Sequence, residues 1–525
     1  MSSARAGSGE RVFCIARLFF IFHFSFFTLL CIAQQKVQVE INRADELSSA
    51  KRDGRDILLL KGSVAFRQAD VLMYCDSAYQ FKETNSLTAY GHVHIIQNDS
   101  INLYGDKLDY DGNTRYAIVY NNVTLQEGKM TLKTDRLDYD MANKKAFYTN
   151  KGVMHDVENH LTSQRGYYYP RTHDMYFSQN VVLVNPSYIL TADTLQYNTL
   201  SKKTFFHGPT NIVSKKDFLY CETGWYNTIN NTAEFGPNSY MKTDSQYLFG
   251  DSLYYDRNKS FGKAIGHVRM IDSSEKMLIE GGYAEDYGKS SKTFVTQHVL
   301  ATKGLQKDSM YLTADTLKSG YDSTGKYHIL HAFQHVRIYN KQFQAKCDTA
   351  IYSFVDSTID MRIDPIMWFD KYQATSKRIL VHTKNNRVYK ADFLQNAFLI
   401  MPEDTVNLRF SQVKGRDMYG HFKDNELNVV DVIGNGESIY YVKDESKKYI
   451  GVNKIVSSNI RIGVKDRKIS TISFIKSPDA DLLPVPTVGT QEGRLPGFKW
   501  RTSEKPKSKE DLLLPPGVNE NEKLK

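Results

Sequence analysis

The feature that most limits what this chain can become is a small residue followed by an acidic one, returning about every 29 residues. It stands at Cys75-Asp76, Gly105-Asp106, Thr134-Asp135, Ala192-Asp193, Cys221-Glu222 and Gly250-Asp251, so the acidic positions lie 30, 29, 58, 29 and 29 residues apart. The gap of 58 is two periods, with Ser163-Gln164 in the vacant slot. Ala44-Asp45 precedes the series; Ile279-Glu280, Ala314-Asp315 and Cys347-Asp348 continue it at slightly longer spacing, and Lys377 and Arg416 take later slots without a carboxylate. A length of 525 residues would otherwise suggest three or four domains, but a sustained period of this size marks a repeat array instead.

Within each unit the apolar pattern has a period of two and changes phase at the small-acidic pair. Leu103 and Gly105 fall on odd numbers, Leu108 and Tyr110 on even ones; Leu132 and Thr134 give way to Leu137 and Tyr139. Leu190 and Ala192 precede Leu195 and Tyr197 in the same way, as Leu248 and Gly250 precede Leu253 and Tyr255. Period two means strand, and a one-residue slip reverses the inward face, so the slip predicts a corner at which the chain bends around its interior. The acidic side chain is expected to cap backbone N–H groups there. Polar turns such as Asp111-Gly112-Asn113 lead into a second alternating stretch, Ala117, Val119, Val123 and Leu125. The expected fold is all-β: a solenoid-like twisted stack of about 13 two-strand units, on the order of 60 Å long, with two sheets facing across an apolar interior.

The ends read differently. Arg5, Arg11 and Arg17 precede the uncharged run Leu18–Ala33, too short for a comfortable span, so residues 1–33 are expected to be a secretory signal peptide. The repeats fill 34–290 and a divergent continuation fills 291–476. Residues 477–525 hold seven of the 13 prolines among Lys, Glu and Ser, and are expected to form a basic disordered tail. A formal charge of +9 with interspersed signs permits an anionic partner and gives no reason to expect nucleic acid.

The candidates for chemistry have plainer readings. Stacked carboxylates at the corners could hold calcium, but one acid per 29 residues is sparse beside known metal-binding turns. His328, His331 and His335 alternate faces on a strand, and His92 and His94 have no third ligand nearby. Cys75, Cys221 and Cys347 all occupy the small corner position, where a buried thiol packs as a small apolar group. No nucleophile elbow, phosphate loop or zinc-protease helix is present, so catalytic residues, metal and cofactor are all expected to be none. The rows of Leu, Tyr, Phe and Val are either packed core or, if the sheets splay, an apolar trough open along one side.

The Gly-x-Val turns at Gly62-Ser63-Val64, Gly91-His92-Val93 and Gly266-His267-Val268, followed by corners such as Asp106-Lys107-Leu108-Asp109-Tyr110 and Asp135-Arg136-Leu137-Asp138-Tyr139, resemble the LptA/OstA-like family. Asp193-Thr194-Leu195-Gln196-Tyr197 carries the same likeness, which covers residues 40–290 well and 300–470 loosely. The resemblance implies a twisted β-jellyroll whose V-shaped interior holds lipopolysaccharide acyl chains in the periplasm on their way to the outer membrane. It implies partners among other transport components, joined by end-to-end strand stacking. On that reading Leu108, Tyr110, Leu137, Tyr139, Leu195, Tyr197, Leu253 and Tyr255 line the trough, with Lys107 and Arg136 turned outward or to the rim. The chain is far longer than the usual bridge protein and is not followed by barrel strands, which favours a bridge or accessory over a translocon. Two other classes remain: a structural or adhesin solenoid, and a β-helix enzyme acting on polysaccharide.

Overall fold

The computed structural model describes residues 37–514 apart from 53, 98–99, 216, 305–308, 326–327, 386, 405–407, 424–425 and 486–492. The expected signal peptide lies outside the described residues. Strand accounts for 74% of the structure and helix for 2%, so the period-two reading holds. Among the described residues, 36 strands pair in one continuous antiparallel sheet, mostly with their sequence neighbours.

The sheet is folded along its middle by a repeated two-against-one bulge. Gly105 pairs with Val93 and Lys107 with Tyr90, leaving Asp106 opposite Gly91 and His92. On one strand the burial phase slips by one residue, as in Val71–Phe81, where Val71, Met73 and Cys75 are buried and then Ala78 and Gln80. On the next strand two consecutive residues take positive φ and the phase is kept. Gly91 and His92 do this at 73° and 42°, Asn121 and Asn122 at 58° and 51°, and Gln297 and His298 at 67° and 56°. The sequence shows the first corner through its phase slip. The second hides inside an unbroken alternation, Val119 to Val123, because inserting two residues leaves parity unchanged.

Each bent strand therefore contributes one half to each of two facing sheets. The corners form a closed spine, and the hairpin turns line up along the opposite, mouth side. A single apolar core runs from Val39 to Val464 between the sheets. Packing at the spine is close: a Cβ on Gly105 would come within 2.4 Å of Val119 Cγ1.

The anchor residues hold the corners differently from expectation. The bend is fixed by backbone: the N–H of Asp45 donates to Gly62 O at 2.9 Å, that of Asp251 to Gly266 O at 3.0 Å, and that of Gln164 to Gln179 O at 3.0 Å. The carboxylate instead takes a side chain from the facing corner: Asp76 takes His92 at 2.8 Å, Asp106 takes Asn122 at 2.7 Å and Asp251 takes His267 at 2.8 Å. Because backbone does the bending, Gln164 and Lys377 can fill the slot without a carboxylate; Lys377 N still donates to Gln395 O at 2.9 Å.

Of the expected disordered tail 477–525, residues 477–485 and 493–514 are ordered, and the rest lie outside the described residues. Strand Asp479–Leu483 pairs with Val452–Val456 and so extends the array past 476. Residues 493–514 then run back across the outer face of one sheet as a strap. Leu495 joins Phe398, Ile400, Phe410 and Ile439 in a second apolar cluster, and Phe498 and Trp500 pack on Phe410 at 5.2 and 5.1 Å. Gln412 and Gln373 bond to strap backbone on both sides: Gln412 Nε2 to Gly493 O at 2.8 Å, and Gln373 Nε2 to Lys499 O at 2.7 Å. Farther on, Arg337 donates to the carbonyls of Asp511, Leu512 and Leu514, and Leu512 is buried. Proline density argued for disorder, but prolines also suit an extended strap that crosses strands without joining their ladder.

Candidate functional site

Strand alternation aims the eight residues expected to line a trough at the interior. Leu108, Tyr110, Leu137, Tyr139, Leu195, Tyr197 and Leu253 are buried, and Tyr255 is half-buried. In the N-terminal units this interior is filled: Leu137 and Leu195 are 0% exposed. A surface concavity of about 370 Å³ lies at the spine beside Asn122, Asp135 and Lys151.

The tyrosines reach across the mouth. Tyr110 and Tyr139, at the mouth end of one sheet, donate their hydroxyls to the Oε1 atoms of Gln68 and Gln97 at the mouth end of the other. Tyr197 donates to Asp156 Oδ2 at 2.6 Å, and Lys202 closes on the same carboxylate at 3.3 Å. Tyr168 lies against Glu127 without a well-formed hydrogen bond. Burial, ahead of any neighbouring charge, pushes the Tyr110 hydroxyl up to about 12 and raises Tyr139 and Tyr197 as well, so these groups stay protonated donors. The acceptors at 68, 97, 127 and 156 were missed in the sequence, although they recur at spacings of 29, 30 and 29. Their signal is a polar residue in inward phase at the last position before a turn.

The seam has a capped end and an open middle. At the N-terminal end Gln68 Nε2 bonds Val37 O at 2.6 Å and Gln80 Nε2 bonds Val39 O at 2.9 Å, so residues 37–39 lie across the mouth. Beyond the Asp156–Tyr197 bond lies a cavity of about 20 Å³ lined by Leu183, Tyr188, Leu195 and Tyr197, room for about one water. From there to Met277 the spine-side positions Cys221, Phe235, Leu253 and Val268 remain buried. The mouth-side positions Ile212, Leu219, Met241, Leu248 and Met270 are only partly covered. Farther on, the interior closes again around Met310, Leu312 and Leu330, and Lys303 bonds Glu275 Oε2 at 2.9 Å while standing over the Tyr352 ring.

The cations expected outward or at the rim lie outward, near the spine. Lys107 pairs with Asp109 at 2.9 Å and lies over Tyr120; Arg136 forks onto Asp138 at 2.9 Å. Both sit just past the corner on the outer face, because the residue after the anchor is spine-side. The three cysteines are buried and unpaired, their thiols pushed up to about 12 chiefly by burial. The three histidines from 328 to 335 part company: His328 stacks on Phe354, His331 on Phe333, and His335 pairs with Asp315.

Residues 36–193 and 179–239 match the family model described as OstA-like protein. No curated protein matches the chain. The family is a transport family, and the match supports a role in lipopolysaccharide or lipid transport in general. The repeats, the corner motif and the match agree: residues 36–239 are similar to the OstA-like family.

Proposed function

We propose that this protein is a non-enzymatic periplasmic carrier that shelters lipopolysaccharide acyl chains between its two sheets and passes them toward the outer membrane. The observation that carries the reading is the single apolar core that continues from Val39 to Val464. A path of one solvent character over many units is what acyl chains need, since each buried methylene is worth about 0.8 kcal/mol. Leu108, Tyr110, Leu137, Tyr139, Leu195, Tyr197, Leu253 and Tyr255 are the proposed lipid-facing side chains. Handing cargo on would use the open edges of the first and last strands, by stacking against other transport components.

The filled N-terminal interior favours a second reading, a purely structural solenoid. A photo-crosslinking amino acid at Leu195 and another at adjacent Thr194 separate the two in cells, because neighbouring strand positions face opposite ways. Carriage of lipid is expected to give a lipopolysaccharide adduct at Leu195 and none at Thr194. Absence of adducts at Leu195, Leu137 and Leu253 alike would leave the structural solenoid.

A further inference from the structure

The mouth is not uniform along the array, and the difference falls between latched and unlatched units. In strands up to Tyr188–Asn198, the hydroxyls of Tyr110, Tyr139 and Tyr197 bond across the seam. In the next units the corresponding tyrosine, Tyr226, turns its hydroxyl to Asn231 at 2.9 Å, a residue five positions on at its own edge. The next, Tyr255, is half-buried, and among the described residues it has no acceptor across the seam. Ile212, Leu219, Met241, Leu248 and Met270 are only partly buried along this stretch. A gap in the latches and partly uncovered apolar side chains coincide over the same strands.

The lip of this gap carries an uncommitted cation. Arg257 lies in the turn after strand Ser252–Asp256, its N–H bonded to Asn231 O at 3.0 Å. Its guanidinium is close enough to act electrostatically on both Tyr188 and Tyr255. The carboxylate beside it in sequence, Asp256, is held by Lys259 at 3.1 Å, and among the described residues Arg257 has no ion-pair partner. An exposed, unpaired guanidinium above an apolar slot is complementary to a phosphate attached to acyl chains.

We propose that the acyl chains of an anionic, phosphate-bearing amphiphile enter sideways through this unlatched middle stretch, between the strands at 188–198 and 277–287, with Arg257 receiving the head group. The latched units on the N-terminal side are then a sleeve filled from within rather than through their own seam. The proposal rests on the lipid-carrier reading and adds the place and the head-group chemistry of entry.

The test uses the full chain and lipid A as the probe, with photo-crosslinking residues at Met270, at Leu248 and, in the latched sleeve, at Leu137. Illumination at successive times after mixing is expected to label Met270 and Leu248 first and Leu137 later. Labelling of Leu137 as early as the middle positions would overturn the portal while leaving lipid carriage intact; no labelling at any position would remove both. Should the Met270 variant lose its β circular-dichroism spectrum, Ile212 gives the same comparison with Leu137. In parallel, Arg257→Ala is expected to weaken binding of lipid A roughly tenfold, as the loss of one charge-assisted contact does. Binding of the dephosphorylated form should be unchanged; equal loss for both forms would refute the head-group role of Arg257.

Discussion

Tyr139 is fully buried, yet its hydroxyl cannot be dispensed with, because Gln97 is 1% exposed and presents Oε1 to it. Tyr139→Phe removes the donor and strands that oxygen, which costs about 1–3 kcal/mol. Replacing Gln97 with Met in the same chain removes the stranded group, so the double variant should recover part of the loss even though Gln97 also donates to Asp70 Oδ2 at 2.9 Å. Urea unfolding of the two single variants and the double checks this; strictly additive losses would mean that Tyr139 and Gln97 do not act together. The inward aim of Tyr139 was legible in the sequence, since alternation decides which way a strand residue points. Its partner was not, because Gln97 lies 42 residues earlier on the other sheet and only the fold of the V brings them together. Lys107 shows the opposite failure: alternation put it correctly on the outside, but its pairing with Asp109 two residues away on the same face uses its charge at the spine.

At the level of elements, the strap is a set of separable attachments. Arg501 forks onto Glu504, and Lys346 from the array reaches the same carboxylate at 2.5 Å. The hydrogen bond from Arg501, with Lys346 adding to it, lowers Glu504 from its ordinary 4.5 to about 2. A carboxyl depressed in the folded state stabilises docking above its ordinary value, and that contribution is lost as pH falls through about 4.5 toward 2. Protection of residues 493–514 against hydrogen exchange, measured relative to the unfolded chain at the same pH, should therefore fall across that window while the strands at 101–140 stay protected. Glu504→Gln should exchange fast already at neutral pH, and a strap equally protected at pH 7 and pH 3 would contradict the attachment. Composition alone concealed this element. Proline and charge weigh against a strand, but Leu495, Phe498 and Trp500 sit among them, and these are the groups that seat it. The second corner of each unit was concealed for another reason: pairs such as Asn121-Asn122 and Gln179-Asn180 leave the alternation unbroken. Their signal was the valine after each pair, at 123, 181, 268, 299 and 336, which restarts the inward row.

Across the whole molecule the backbone ladders of the bent strands run mostly between sequence neighbours, and every turn returns the chain to the mouth edge of the sheet it is leaving. Removing one complete period, residues 107–135, would join Asp106 to Arg136 and keep both the corner and the direction of travel. Removing a single bent strand with its turn, residues 116–129, would ask the short turn at 112–115 to cross from one arm of the V to the other. The first deletion should fold, with circular dichroism unchanged in shape and a shorter particle in small-angle scattering; the second should not. If both fold equally well, the two arms are not as separate as the register indicates. The two-against-one bulge thus makes length a quantity counted in pairs: lineages could lengthen or shorten such a chain by whole periods, adjusting the span it covers without redesigning a single corner.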